Sequence, residues 1–357
     1  MLRTHKIALR PTDHQRRWFA MQCGYSDVAY NFALSAWNAG VPKSQLRKTF
    51  NARKCQEFEW CEDMDQRAAM YGIMNLEDAI TRYHNGQNNR PRRKKRRSRQ
   101  SYQMESAKIK IDGSRVKLPK IGWIQMHEAV RFKGEVVNRV TISRTAHRWF
   151  ISVTVETADT QQVVDPTAPV IGIDVGINTL ATLDDSRKFD NPRPLRRYER
   201  KLAREQRKLS RMQYQSNNYY KQKLKVERIH YRIRCIRENA HHQATHRILE
   251  RASKIGIETL KVTNMLKNRK IAKALSDSAL GGFLAMLKSK ADAMGIEIVE
   301  AQQFFASSKT CSNCGHKNDN LTLADRTYHC DVCGYTEDRD VNAALNLRTI
   351  AVGGTEM

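Results

Sequence analysis

Two sets of residues in this chain have the types and spacing for metal chemistry. The first is Cys311, Cys314, Cys330 and Cys333, a C-x2-C-x15-C-x2-C pattern with a glycine after each pair in "CSNCG" and "CDVCG". The glycines suit the tight knuckle that turns two thiolates onto one ion. Four thiolates satisfy tetrahedral Zn2+ and leave no position for water, so the expected site is structural. Two disulfides are the alternative, disfavoured in a reducing compartment.

The second set is acidic. Asp174 interrupts the apolar strand "VIGIDVG", and Glu258 sits in the short β run "IGIETLKV". Asp340 lies in "CGYTEDRDVNAALNL"; a helix starting near Arg339 puts it on one face with Ala344 and Leu347, pointing toward the core. Asp338 reads as that helix's N-cap and Glu337 as a solvated loop acid. Each of the three acids alone can be a buried carboxylate satisfied by arginine or backbone. Together, from separate elements of one α/β region, they offer the oxygen ligands that Mg2+ requires. Carboxylates holding two such ions are the arrangement that hydrolyses phosphodiesters.

The elements that must position these residues follow from composition and pattern. At 357 residues the chain exceeds what one core usually serves, about 250–300, so two or three domains are expected. Sixty-three Lys and Arg oppose 37 acids, a net +26, which points to a nucleic-acid partner. No apolar run approaches the ~20 residues of a membrane span, and the N-terminal stretch lacks the apolar core of a secretory signal. A cytoplasmic protein, nucleoid-associated and away from membranes, is therefore expected. Cys23, Cys55, Cys61 and Cys235 are scattered and read as small buried hydrophobes.

Residues 1–10 predict a strand stopped by Pro11, with helices near 13–38 and 43–85. The faces Val28, Phe32, Ser35, Ala36 and Met70, Ile73, Met74, Glu77 are their candidate core stripes. "RPRRKKRRSRQSY", from Arg90, predicts a flexible basic loop or arm, and Tyr102 after it suits either base stacking or the core. From about 108 to 157 short alternating strands and a "DG" turn at Asp112 predict a small β-barrel or sheet. Residues 158–169 look like a linker. "PVIGIDVGINTLATLDD" reads as strand, turn, strand, and residues 195–254 as one or two long helices. These carry 16 Lys or Arg against five acids between 196 and 250, which favours a nucleic-acid cradle over a merely solvated face. A strand at "KIGIETLKV", a helix over 277–294 and a strand at "GIEIVEA" complete the pattern.

The motifs "GIDVGINTLAT", "IETLKVTNMLKNRKIAKALSD", "SSKTCSNCG" and "CGYTEDRDVNAALNL", in this order, resemble the transposon-encoded TnpB family, relatives of type V CRISPR effectors. "YNFAL", "VKLPKIGWI" and "VTISR" extend the likeness over nearly the whole chain. The resemblance implies an α/β protein with added α and β parts: a helical recognition lobe, a small β-barrel (wedge) domain, and an RNase H-like RuvC nuclease domain with an inserted zinc ribbon. The implied layout is 1–12 for the first barrel strand, 13–107 helical recognition and 108–160 barrel. Residues 161–300 would be nuclease, 301–335 zinc ribbon, and 336–357 the last nuclease segment and tail.

It further implies an RNA-guided DNA endonuclease, Mg2+-dependent with two catalytic ions, whose acids are Asp174, Glu258 and Asp340. One structural Zn2+ would sit on the four cysteines. Partners would be a guide RNA derived from the transposon end and double-stranded target DNA, cut next to a short flanking motif by a monomeric ribonucleoprotein. Family members commonly have Asp after the second acid, where this chain has Thr259. Alternatives are a catalytically silent guided repressor, an unguided transposase or resolvase of the same nuclease fold, and a structural zinc-ribbon RNA-binding protein. The last leaves the inward acids unexplained.

Overall fold

The computed structural model describes residues 2–95, 100–158, 165, 167–322 and 324–353. The chain divides into two compact units, Met1–Thr160 and Gln161–Met357.

The first unit begins with strand β1 (Leu2–Arg10), ended by Pro11 as expected. Helix α1 (Asp13–Asn38) starts on a capping box: the Gln15 N–H donates to Thr12 Oγ1 and the Thr12 N–H to Gln15 Oε1. Its buried stripe runs through Gln22, Ser26, Ala29 and Ala33, so the face predicted at Val28 and Phe32 is only its flank. The helix expected over 43–85 is broken into α2 (Leu46–Glu57) and α3 (Gln66–His84). The cause is a fresh N-cap, Asp65, whose carboxylate accepts from the Arg67 N–H. Ile73 is buried on α3 as predicted, with Leu76 and Ile80 rather than Met74 and Glu77.

Strands β2 (Ser101–Glu105), β3 (Lys110–Asp112), β4 (Arg115–Leu118), β5 (Gly122–Met126), β6 (Glu135–Val136), β7 (Arg139–Thr145) and β8 (Arg148–Glu156) join β1 in one sheet. Its order is β2-β7-β8-β1-β5-β4-β3, with β6 also on β8. Among the described residues no pairing joins β2 to β3, the two ends of this path. After β1 the sheet resumes at Ser101, so a boundary at 107/108 falls after its second strand. Tyr102 is core, packed edge-on against Trp18. Cys23 and Cys61 are buried as expected, whereas Cys55 is exposed. The basic run is anchored at Lys94, whose backbone exchanges two hydrogen bonds with the Asn31 amide and whose ammonium pairs with Asp27 at 2.9 Å. Residues 96–99 of that run lie outside the described residues, as do most of the expected linker and residues 354–357.

The second unit is built on β9 (Val170–Val175), β10 (Thr179–Leu183) and β11 (Lys188–Asp190). Two long helices follow, α4 (Pro194–Ser210) and α5 (Asn217–Leu249). Then come β12 (Lys254–Ile257), α6 (Val262–Met265), α7 (Ala272–Ser278), α8 (Leu280–Met294) and β13 (Glu297–Glu300). The helix expected over 277–294 is thus two, turned at Ala279, which takes φ +48°. Last are β14 (Thr327–His329), β15 (Thr336–Asp338) and α9 (Arg339–Val352).

The main sheet has the order β11-β10-β9-β12-β13; β9 pairs antiparallel with β10 and parallel with β12. Strand side chains alternate between faces. The odd face, Ile171, Ile173, Ile255 and Ile257, packs into one core with Ile248 of α5 and Phe283 and Leu287 of α8. The even face carries Gly172, Asp174 and Gly256, and α9 lies on it.

Candidate active site and metal centre

Two glycines fix how α9 meets the sheet. A Cβ added at Gly172 would collide with the carbonyl of Ala344, and one at Gly256 with the carbonyl of Leu347. The helix backbone therefore rests directly on β9 and β12. From Gly172 the strand advances about 6.6 Å to Asp174, and from Ala344 the helix steps back about 6 Å to Asp340. Asp340, one helical turn before that contact on α9, and Asp174, two residues beyond it on β9, come close enough for the Asp340 charge to raise the Asp174 carboxyl. Glu258 follows Ile257, which is paired with Ile173, so it stands level with Asp174 on the neighbouring strand. The three predicted acids meet at one end of the sheet, all half-buried and all reaching the surface.

The electrostatics agree with that geometry. Burial, reinforced by the charges of Glu258 and Asp340, pushes the Asp174 carboxyl up to about 8. Burial also raises Glu258, opposed by a hydrogen bond that the Ser307 hydroxyl donates to it. Arg339 pairs with Asp340 at 3.2 Å and its charge offsets part of the repulsion on Asp174. A carboxyl whose charge is disfavoured by burial and by two neighbouring acids is one that a divalent cation would relieve.

Asp338 is the predicted N-cap, accepting from the N–H groups of Asp340 and Val341, and it pairs with Lys188 at 2.6 Å. Glu337 is less solvated than expected, half-buried with its carboxylate accepting from the Asp338 N–H at 2.9 Å.

Three positioning groups escaped the sequence reading. Ser307 is buried against Glu258, 49 residues away in sequence. Asn342 and Asn346, buried on α9, hold the segment that carries it: Asn346 Nδ2 donates to the carbonyls of Ser307 and Thr310, and Asn342 bridges Thr310 and Ser312. Asp184 ties the other end of the arrangement, accepting from the Gly172 N–H and pairing with Arg348 of α9 at 3.4 Å. The one signal available beforehand was polarity at 342 and 346 on a helix face otherwise set to be buried.

The four cysteines converge. Their sulfurs all lie within 4.8 Å of one another, with Cys311 and Cys333 at 3.7 Å and Cys314 and Cys330 at 3.6 Å. Zn–S bonds of ~2.3 Å in a tetrahedron place sulfurs about 3.8 Å apart, so the donor set fits zinc. The Tyr335 backbone N–H and the Asn313 amide hold the Cys333 thiol down to about 6, while hydrogen bonds with the other cysteines push Cys314 up to about 12, so the set shares protons that a metal would displace. Tyr328, Leu321 and Tyr335 make the small core around it.

The helices α4 and α5 pair through Leu202, Val226, Ile229 and Ile233, and Asp277 caps α4 by accepting from the N–H groups of Leu195 and Arg196. Arg196, Arg197, Arg200, Lys201, Arg204, Arg207, Lys208 and Arg211 are all exposed, which makes the outer side of α4 and its C-cap strongly cationic.

Comparison with known proteins gives the same extent of likeness over the whole chain. A family model described as "Probable transposase" matches residues 150–269, and one described as "Cas12f1-like, TNB domain" matches residues 281–347. An Escherichia coli (strain K12) protein named "Putative RNA-guided DNA endonuclease InsQ" is 31% identical, covering 97% of this chain and 91% of its own. A Streptomyces pristinaespiralis protein of the same designation is 32% identical, covering 97% and 88%. Among solved structures, one titled as a Cas12f1-sgRNA-target DNA complex is 16% identical with a TM-score of 0.38, covering 98% of this chain and 99% of the other. Among the described residues no helix is long and apolar enough to cross a membrane.

Proposed function

Because the chain belongs to the TnpB family, we propose that it is a transposon-associated, RNA-guided DNA endonuclease whose nuclease centre is Asp174, Glu258 and Asp340. The observation that carries this reading is the convergence of those three acids from β9, the end of β12 and the start of α9. A chain kept only for guided binding, or only for a zinc fold, has no use for a buried carboxyl raised by two neighbouring acids.

The three carboxylates would hold divalent cations, Mg2+ in the cell, which supply water activation and neutralise charge on the scissile phosphate. Ser307 orients Glu258, and the α9 asparagines hold Ser307. Arg339, beside Asp340, adds a fixed positive charge for the phosphate. The cationic side of α4 gathers the nucleic-acid backbone, while base pairing to the guide reads the target sequence. The first unit would grip the guide and read a short flanking motif. The four cysteines would hold one structural Zn2+ that braces the segment leading to Ser307.

The test is purification from cells carrying the native flanking DNA, sequencing of the co-purified RNA, and cleavage of a matching plasmid with Mg2+. One discrete RNA and a guide-dependent cut are expected. Guide-dependent binding without a cut would give the repressor instead, and cutting or joining without RNA the unguided transposase.

A further inference from the structure

Phe304 is the most exposed large apolar side chain among the described residues, at 91%. It stands between β13 and Ser307, in a turn closed by the Phe305 N–H donating to the Gln302 carbonyl at 3.1 Å. Phe304 takes the third position of that turn with φ +73°. Left-handed backbone there favours Gly or Asn, because a Cβ crowds the following carbonyl. A bulky aromatic at such a position is a genuine outlier, and strain of this kind gathers at functional sites. Here the strained residue also gives its ring to water, so neither feature serves the fold.

Its surroundings say what the ring serves. The turn borders a cleft of about 260 Å3 shared by Phe304, Phe305, Glu258, Lys261 and Asn264. Three residues on, Ser307 is bonded to Glu258 and fastened to α9 by Asn346. The ring is thus held on braced backbone beside one of the three acids, with an exposed lysine on the same cleft. A protruding aromatic next to a cation and an acidic phosphate-processing centre matches a nucleotide: a base for the ring and a phosphate for the lysine.

Resting on the endonuclease reading, we propose that Phe304 is a base-stacking subsite. Its ring stacks on an unpaired nucleobase of the DNA strand being cut, and so sets the neighbouring phosphate against Asp174, Glu258 and Asp340. The role is positioning: Phe304 touches the substrate but moves no proton.

The experiment uses the guide-loaded protein and target DNA with 2-aminopurine placed at successive positions around the cut. Fluorescence is read in an Asp174→Ala background so that the strand stays intact. At one position emission should be quenched, restored by Phe304→Ala and Phe304→Gly, and kept low by Phe304→Trp. With Asp174 present, the Ala and Gly variants should cut about tenfold more slowly, the order of one lost base stack. Phe304→Gly should also raise the melting temperature, since it relieves the left-handed strain, which separates a stacking role from a structural one. Quenching that ignores Phe304, or variants that cut like the parent, overturns the proposal. So does a change in oligomeric state on Phe304→Ala without a fluorescence change, which would assign the ring to a protein partner. If the parent does not cut but Phe304-dependent quenching persists, the stacking subsite stands and the endonuclease reading falls.

Discussion

Gly172 of β9 and Ala344 of α9 touch backbone to backbone, with no room for a single methyl between them. Gly256 and Leu347 repeat the relationship one strand over. Each glycine stands two residues before an acid, so the contact that seats the helix also sets the spacing of the carboxylates. Gly172→Ala or Gly256→Ala should destabilise the protein by about 1–3 kcal/mol or more and slow cutting, because backbone cannot yield as a side chain can. Gly282→Ala, where nothing lies within 4 Å, is the control and should be neutral or stabilising. Urea unfolding of the three variants makes the comparison.

Asp174→Ala should abolish cutting while guide and target binding persist; loss of binding as well would make Asp174 a structural core acid. The metal-free protein should also carry a pH signature. A carboxyl raised to about 8 from its ordinary 3.8 favours the folded state when protonated. Its contribution is therefore fully present at low pH and lost as pH rises through about 8. Asp174→Asn should flatten that decline, as measured by melting temperature against pH in the presence of a chelator.

Ser307→Ala removes the donor that faces Glu258 and should raise the Mg2+ concentration for half-maximal cutting several-fold, with a stability cost of about 1–2 kcal/mol. Ser307→Thr should restore most of it. Mn2+ titration followed by electron paramagnetic resonance reads the same weakening without any cleavage. An unchanged Mn2+ isotherm would reduce Ser307 to a packing residue.

Cys330 is fully buried among Tyr328, Leu321 and Tyr335, a core too small to hold the ribbon without an ion. Cys330→Ser should lower bound zinc from one ion per chain to none, by a colorimetric chelator assay. It should also weaken cutting, because the segment from Ser307 to Ser312 runs from Glu258 into the ribbon.

Arg200 and Lys201 lie on the exposed cationic side of α4. Replacing both with Ala should reduce the salt dependence of nucleic-acid binding, lowering the log–log slope by up to ~2, without changing sequence preference. A slope that does not move would return those residues to a merely solvated face.

The acids were legible because each breaks a pattern: Asp174 and Glu258 interrupt apolar runs, and Asp340 shares a helical face with Ala344 and Leu347. The Asp338 cap was legible for the same local reason. What was not legible depends on contacts far apart in sequence. Ser307 looks like any loop serine until Asn346 and Glu258 are seen on either side of it. The break between α2 and α3 was missed because Asp65 was not weighed as a cap against a long helical period. The core stripe of α1 was misplaced because polar Gln22 and Ser26 occupy it and larger apolar residues flank it.

The order of the acids along the chain gives the protein a built-in delay. Asp174 and Glu258 are made before the helix that brings Asp340 and closes over both strands. A chain stalled on the ribosome before Arg339 has a sheet with an uncovered face and no third carboxylate. If the proposed nuclease centre is right, such truncated products would lack one of its three acids, and the centre would be complete only when α9 docks on its two glycines.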